Sequence, residues 1–177
     1  MTHAERLNKY LGKLPVTKDA LFVAKSATVI GDVILGKNSS VFYGAVLRAD
    51  INEIRVGQGT NIQDNAIIHH SDSHAAVIGD FCTIGHAAII HACTIGNECL
   101  IGMGATVLDG AVIGDQSLVG ASSLVTQNFQ CPPRSLVFGS PAKIVRPLRE
   151  DEVASLKLSA DKYIEVAKAH AALPSKF

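Results

Sequence analysis

The chain has 177 residues, enough for one domain or one domain with a small appendage, and 47% of them are hydrophobic, enough for a sizeable core. Its 16 basic and 16 acidic residues cancel, which argues against a nucleic-acid or anionic-membrane surface and suits a surface partly buried by self-association. No apolar run approaches the roughly 18 residues that a membrane span needs.

Residues 1–14, "MTHAERLNKYLGKL", lack the apolar stretch of a secretory signal. A short N-terminal helix or arm is expected there. The four cysteines, Cys82, Cys93, Cys99 and Cys131, form no C-x-x-C pair. They fit a reducing compartment, and a cytoplasmic location is expected.

From residue 15 to 148 an aliphatic residue returns every six positions. The period runs through Val23, Val29, Leu35, Val41 and Leu47, then Val56, Ile62 and Ile68, then Ile78, Ile84 and Ile90. From Ile95 it continues unbroken through Ile101, Val107, Ile113, Val119 and Val125. Four positions on, the residue is small in most cases: Ala45, Thr60, Ala66, Cys82, Ala88, Cys99, Ala105, Ala111, Ser117, Ser123. This period is neither helical nor that of a simple strand. It predicts an all-β solenoid, a parallel β-helix of hexapeptide repeats. Three short strands make a triangular coil, with aliphatics inward and a small residue at each corner. Cys82 and Cys99 fall in the small slot and are expected as buried core thiols.

Three phase breaks interrupt the period. Leu47 to Val56 is too long, which predicts an excursion in "ADINEI". Ile68 to Ile78 carries four extra residues, so "HHSDSHAA" is expected to leave the coil as a loop. Ile90 to Ile95 is one residue short. Beyond the repeat, residues 149–177 form the C-terminal segment. Val153, Leu156, Ala160, Tyr163, Ile164 and Ala167 recur at helical spacing behind Glu150, Asp151 and Glu152. A helix over about 150–172, packed back on the solenoid, is predicted, with Tyr163 and His170 on its faces.

Three histidines sit beside these breaks. His69 directly follows Ile68, and His91 directly follows Ile90, one coil later. They are expected on the same face, stacked at the inter-strand spacing of about 4.8 Å, close enough to share one metal. His86 lies two residues after Ile84, on the next face, and points across an edge. It can join the other two only from a neighbouring subunit. The arrangement therefore predicts a homotrimer with one metal per interface, His69 and His91 from one chain and His86 from the next. His70 and His74 lie in the excursion, where no fixed direction is expected for them, and stand as rival ligands. Zn2+, Fe2+ and Co2+ all suit imidazole.

The segments "VLRADINEIRVGQGTNIQDNAIIH", "IGHAAIIHACTIGNECLIGMGATVLDGAVIG" and "GSPAKIVRPL" resemble those of the gamma-class carbonic anhydrase family. The resemblance covers roughly residues 15–170. It implies a left-handed coil, which periodicity does not show, and a trimer whose metal ligands are His69, His86 and His91. It implies hydration of carbon dioxide to bicarbonate, and it places Asn61, Gln63, Arg48 and Asp50 near the site as catalytic candidates. Gln63 follows Ile62 as His69 follows Ile68, so it faces outward and can orient substrate; Asp64 stands beside it. Arg48 and Asp50 are expected to pair across the interface. The chain departs from the family pattern at Ile51, where a glutamate is usual. It departs again in "HSDSHAA", where an acidic loop with a proton-shuttle glutamate is replaced by one carrying only Asp72. Fast turnover is thereby in question. Two rivals share the scaffold: acyl-CoA hydrolysis or acyl transfer, and a non-catalytic metal-bearing trimer.

Overall fold

A computed structural model of the protein describes residues 1–174. It is a left-handed parallel β-helix with a helix at each end, α1 (His3–Tyr10) and α2 (Glu150–Ala171). Most hexapeptides supply a strand of two or three residues, and equivalent strands stack in parallel register, Ile62 on Ile84 and Ile68 on Ile90, for example. The aliphatics point inward as the period requires. Ile62, Ile68, Ile84, Ile90, Ile101 and Ile113 are all fully buried, each contributing roughly 1.5–3 kcal/mol of apolar burial.

The small residues at the corners divide into two kinds. One corner is a column of alanines, among them Ala45, Ala66, Ala88 and Ala105, all fully buried. Another is a column of hydroxyls and thiols. There Thr60 Oγ1 donates to the Gly79 carbonyl at 2.7 Å, Cys82 Sγ to Gly96 at 2.9 Å, and Cys99 Sγ to Gly114 at 3.2 Å. A small donor at this corner satisfies a carbonyl that the bend would otherwise leave unpaired. Cys82 and Cys99 are thus buried core thiols, as the period placed them, and all four cysteines are free and buried.

The first phase break is not an excursion. Residues 46–56 form one continuous strand that turns a corner of the prism. Its start pairs with Ile67–Ile68 on one face and its end with Ala76–Ile78 on the next. The earlier strand Thr28–Leu35 runs parallel to it, with a register shift between Gly31 and Val33. The added residues are absorbed as a bulge in paired strands, which satisfies their backbone groups better than a loop would. The second break does leave the coil, between the strands Ile67–His69 and Ala76–Ile78.

α1 packs against the strand Val46–Val56 and donates from Arg6 Nη1 to the Ile51 carbonyl at 3.3 Å. Its capping box, Thr2 with Glu5, fixes its start. α2 ends one residue short of the predicted limit. It buries Val153, Leu156, Ala160 and Ala167, laying Leu156 and Val153 over Leu100, Leu118 and Leu136 on one solenoid face. His170 lies among Phe22, Phe42 and Tyr43, with Nδ1 2.8 Å from the Tyr43 hydroxyl. The last three residues of the predicted segment 149–177 lie outside the described ones. No helix among the described residues is long and apolar enough to cross a membrane.

Candidate metal centre

The predicted residues fall into two groups on one chain. The first stands on the face that carries Ile68 and Ile90. Because outward positions repeat from coil to coil, Arg48, His69 and His91 follow inward residues at one register, and the paired strands set His69 directly against His91. His69 Nδ1 lies 3.1 Å from His91 Nε2. Each ring's other nitrogen meets a carboxylate: His69 Nε2 is 3.3 Å from Asp50 Oδ1, and His91 Nδ1 is 2.6 Å from Asp109 Oδ1. With those N–H groups donated to carboxylates, two imidazole lone pairs face each other. Such a pair could hold a cation. Their spacing is close to the edge of about 3.3 Å that a tetrahedral zinc site with 2.0–2.1 Å bonds would have.

Burial and the Arg48 guanidinium hold His69 below the usual imidazole range, against the pull of Asp50. Burial raises Asp50, but the hydrogen bond and charge of Arg48 outweigh it and keep the carboxyl below its ordinary value. Asp109 is likewise held low, its burial outweighed by His91 and by a hydrogen bond from Ser71. His69 is therefore held toward neutral imidazole beside carboxylates that stay ionised, which suits a divalent metal.

The second group stands at the edge beyond the neighbouring face. His86 Nδ1 is 2.9 Å from Asp64 Oδ2, again one nitrogen engaged and one free. Ala87, which follows it, has φ 57° and turns the corner. Gln63 Nε2 donates to Asn61 Oδ1 at 3.1 Å, and Asn61 Nδ2 donates to Thr83 Oγ1 at 3.1 Å. Both amides are nearly fully buried. Gln63 and His86 open on a groove of about 380 Å³ shared with Met103, Ser159 and Tyr163 of α2. Asn61, Gln63, Asp64 and His86 thus stand together in one group, and Arg48, Asp50, His69 and His91 in the other.

One contact lies within the chain, and one expectation is corrected. Arg48 and Asp50 close on each other within one chain, Arg48 Nη1 to Asp50 Oδ2, because residues two apart on one strand share a side. His70 is fixed rather than free. It is completely buried, stacked on His69 at 4.5 Å and 29°, with Nε2 3.3 Å from Asp50 Oδ1. Burial and the neighbouring His69 lower its pKa to about 4, so it is neutral. Its Nδ1 has no partner. Asp50, His69 and His70 also form the one metal-capable cluster within a single chain among the described residues. That set is the poorer centre, since His70 is sealed from solvent and Asp50 is neutralised by Arg48.

Sequence reasoning missed Asp109 and Ser71. The signal for Asp109 was present: it stands one coil after Ala92, the residue next to His91.

A model of the bacterial transferase hexapeptide family matches residues 75–108 and 92–127. A mitochondrial gamma carbonic anhydrase of Arabidopsis thaliana is 46% identical over 93% of this chain. The chain spans about three fifths of that relative's length, 62%. A carbonic anhydrase of Geobacillus kaustophilus is 38% identical, over 93% of this chain and 90% of its own length. Among solved structures, a hexapeptide transferase family protein of Anaplasma phagocytophilum has a TM-score of 0.84 at 45% identity, covering 88% of this chain and 92% of that one.

Proposed function

The chain belongs to the gamma-class carbonic anhydrase family of hexapeptide-repeat proteins, and from that membership we propose that it is a metal-dependent carbonic anhydrase converting carbon dioxide and water to bicarbonate and a proton. The observation that carries the proposal is the same in all three histidines. Each has one ring nitrogen engaged by a carboxylate, Asp50, Asp64 or Asp109, and the other turned away from it, His69 Nδ1 and His91 Nε2 toward each other. That is the orientation metal-ligating histidines take.

His69 and His91 of one subunit would hold the ion together with His86 of the next, in a homotrimer that joins the two half-sites three times. Zn2+, Fe2+ or Co2+ held by three imidazoles would supply Lewis acidity at an open position, making water a nucleophile near neutral pH. The chain's own residues do the rest. Arg48 keeps Asp50 ionised, and Asp50 holds the His69 ring. Asn61 fixes the Gln63 amide, whose carbonyl oxygen is left to accept a hydrogen bond from the attacking water and whose position beside His86 lets it orient carbon dioxide. Ile51 offers no proton acceptor, so release of the proton falls to solvent and buffer, and turnover is slow. Four free buried cysteines suit a cytoplasmic location.

The test is carbon dioxide hydration by purified protein before and after chelation and on adding back each metal. Activity is expected to vanish with the metal and to rise with buffer concentration. An acyl-CoA panel is run alongside, because the transferase relatives and the groove beside His86 favour acyl transfer as a second reading. Acyl-CoA turnover that survives complete metal removal would replace the carbonic anhydrase reading.

A further inference from the structure

The excursion after His69 has a role that its missing glutamate does not explain. Residue Ser71 turns back at once, its N–H donating to the His74 carbonyl at 3.0 Å and its hydroxyl accepting from the His74 N–H at 3.3 Å. Asn52 Nδ2 ties down the Ser71 carbonyl at 3.0 Å. So anchored, the loop lies against the Asp109–Gly110 turn, with His74 Nε2 3.5 Å from where a Cβ on Gly110 would stand, and Asp109, whose carboxyl Ser71 helps to hold low, accepts from His91 Nδ1 at 2.6 Å. The loop that leaves the coil after one histidine therefore ends against the carboxylate that grips the other.

We propose that Asp109 is the positioning residue for His91, and that the excursion is a strap whose Ser71 fixes Asp109 in place. The inference rests on the metal-site reading above. A neutral imidazole has two tautomers, and only the Nδ1–H form presents Nε2 as a donor to a metal. The bond to Asp109 selects that form and sets the ring's rotation. It also raises the basicity of the opposite nitrogen. Asp109 lies inside a family-like segment but is not among the site residues that the resemblance implies. It acts through His91 alone.

The test measures zinc affinity by chelator competition on full-length protein, with histidine 15N NMR of the metal-free form. Asp109→Ala is expected to weaken zinc binding about 10–100-fold and to shift His91 from the Nδ1–H toward the Nε2–H tautomer. Ser71→Ala is expected to weaken binding by a smaller factor. In the Asp109→Ala background Ser71→Ala is expected to add nothing, since its only route is through the carboxylate. Asp109→Asn, which keeps an acceptor and loses the charge, is expected between wild type and alanine, and it carries the test if the alanine variant does not fold. Wild-type affinity with an unchanged His91 tautomer in the Asp109 variants would overturn the role of Asp109. An undiminished Ser71 effect without Asp109 would overturn the strap. Failure of the wild-type protein to bind zinc would instead contradict the metal site itself.

Discussion

His91→Ala protein is expected to purify without stoichiometric metal while keeping its fold. An outer partner alone is worth about 10–100-fold in metal affinity, so removal of a ligand exceeds that range. The solenoid tolerates the change because the wall beneath is made by Ile90, fully buried, and not by the histidine, which is about one third exposed. The ladder pairing Ile90 with Ile68 involves backbone only and is untouched. Elemental analysis of anaerobically purified protein reads the loss directly. His74→Ala is the control, for His74 bonds only within its loop, to Ser73 and Ser71, and its metal content should match wild type. Unchanged metal in His91→Ala would remove His91 from the site.

The second large effect falls on stability. Gly31 has φ 79°, and a Cβ placed on it would lie 1.8 Å from the Ala49 carbonyl oxygen. It sits at the register shift where the strands Thr28–Leu35 and Val46–Val56 bend together round the corner. Gly31→Ala combines a left-handed backbone, costing about 1–2 kcal/mol, with overpacking of about 1–3 kcal/mol. The sum is about 2–5 kcal/mol, a drop of roughly 10 °C in Tm at mid-range for a chain of this size. The displaced neighbour, Ala49, lies between Arg48 and Asp50, so metal affinity should fall with stability. Gly12→Ala is the matched control. Its nearest outside atom is the Asn8 carbonyl oxygen at 3.5 Å, ordinary contact, and the change should stay within about 0.5 kcal/mol. Thermal unfolding of the metal-free forms separates the two, and a Gly31→Ala protein as stable as wild type would show that the bend is not held as described.

The period alone made the solenoid legible, because an inward aliphatic every six residues has one packing solution. It also placed His69 over His91, since stacking follows from counting coils. It failed where pairing could absorb what counting could not. Ile51, Asn52 and Glu53 read as a loop in the sequence but lie inside a long bent strand. His70 read as free because its loop has no repeat to fix it, yet Asp50 and the His69 ring bury it completely. Asp109 was overlooked for a different reason. It occupies a turn position one coil beyond Ala92, the neighbour of His91, and turn residues carry no inward or outward rule. Gln63 was expected on an outward face and Asn61 near it by resemblance, and only the structure shows them paired with each other on the His86 side of the molecule.

The central claim is that the centre exists only between subunits, and mixed assembly tests it. His86→Ala chains keep His69 and His91; His91→Ala chains keep His86. Neither alone can form a complete site. In a three-fold ring of random composition, every mixed trimer regains a single site, so an equal mixture refolded or co-expressed together should recover about a quarter of the wild-type zinc. Zinc recovered at that level, with each parent near zero, is the predicted result. Zinc absent from the mixture, or full zinc in the His86→Ala parent alone, would contradict a shared centre.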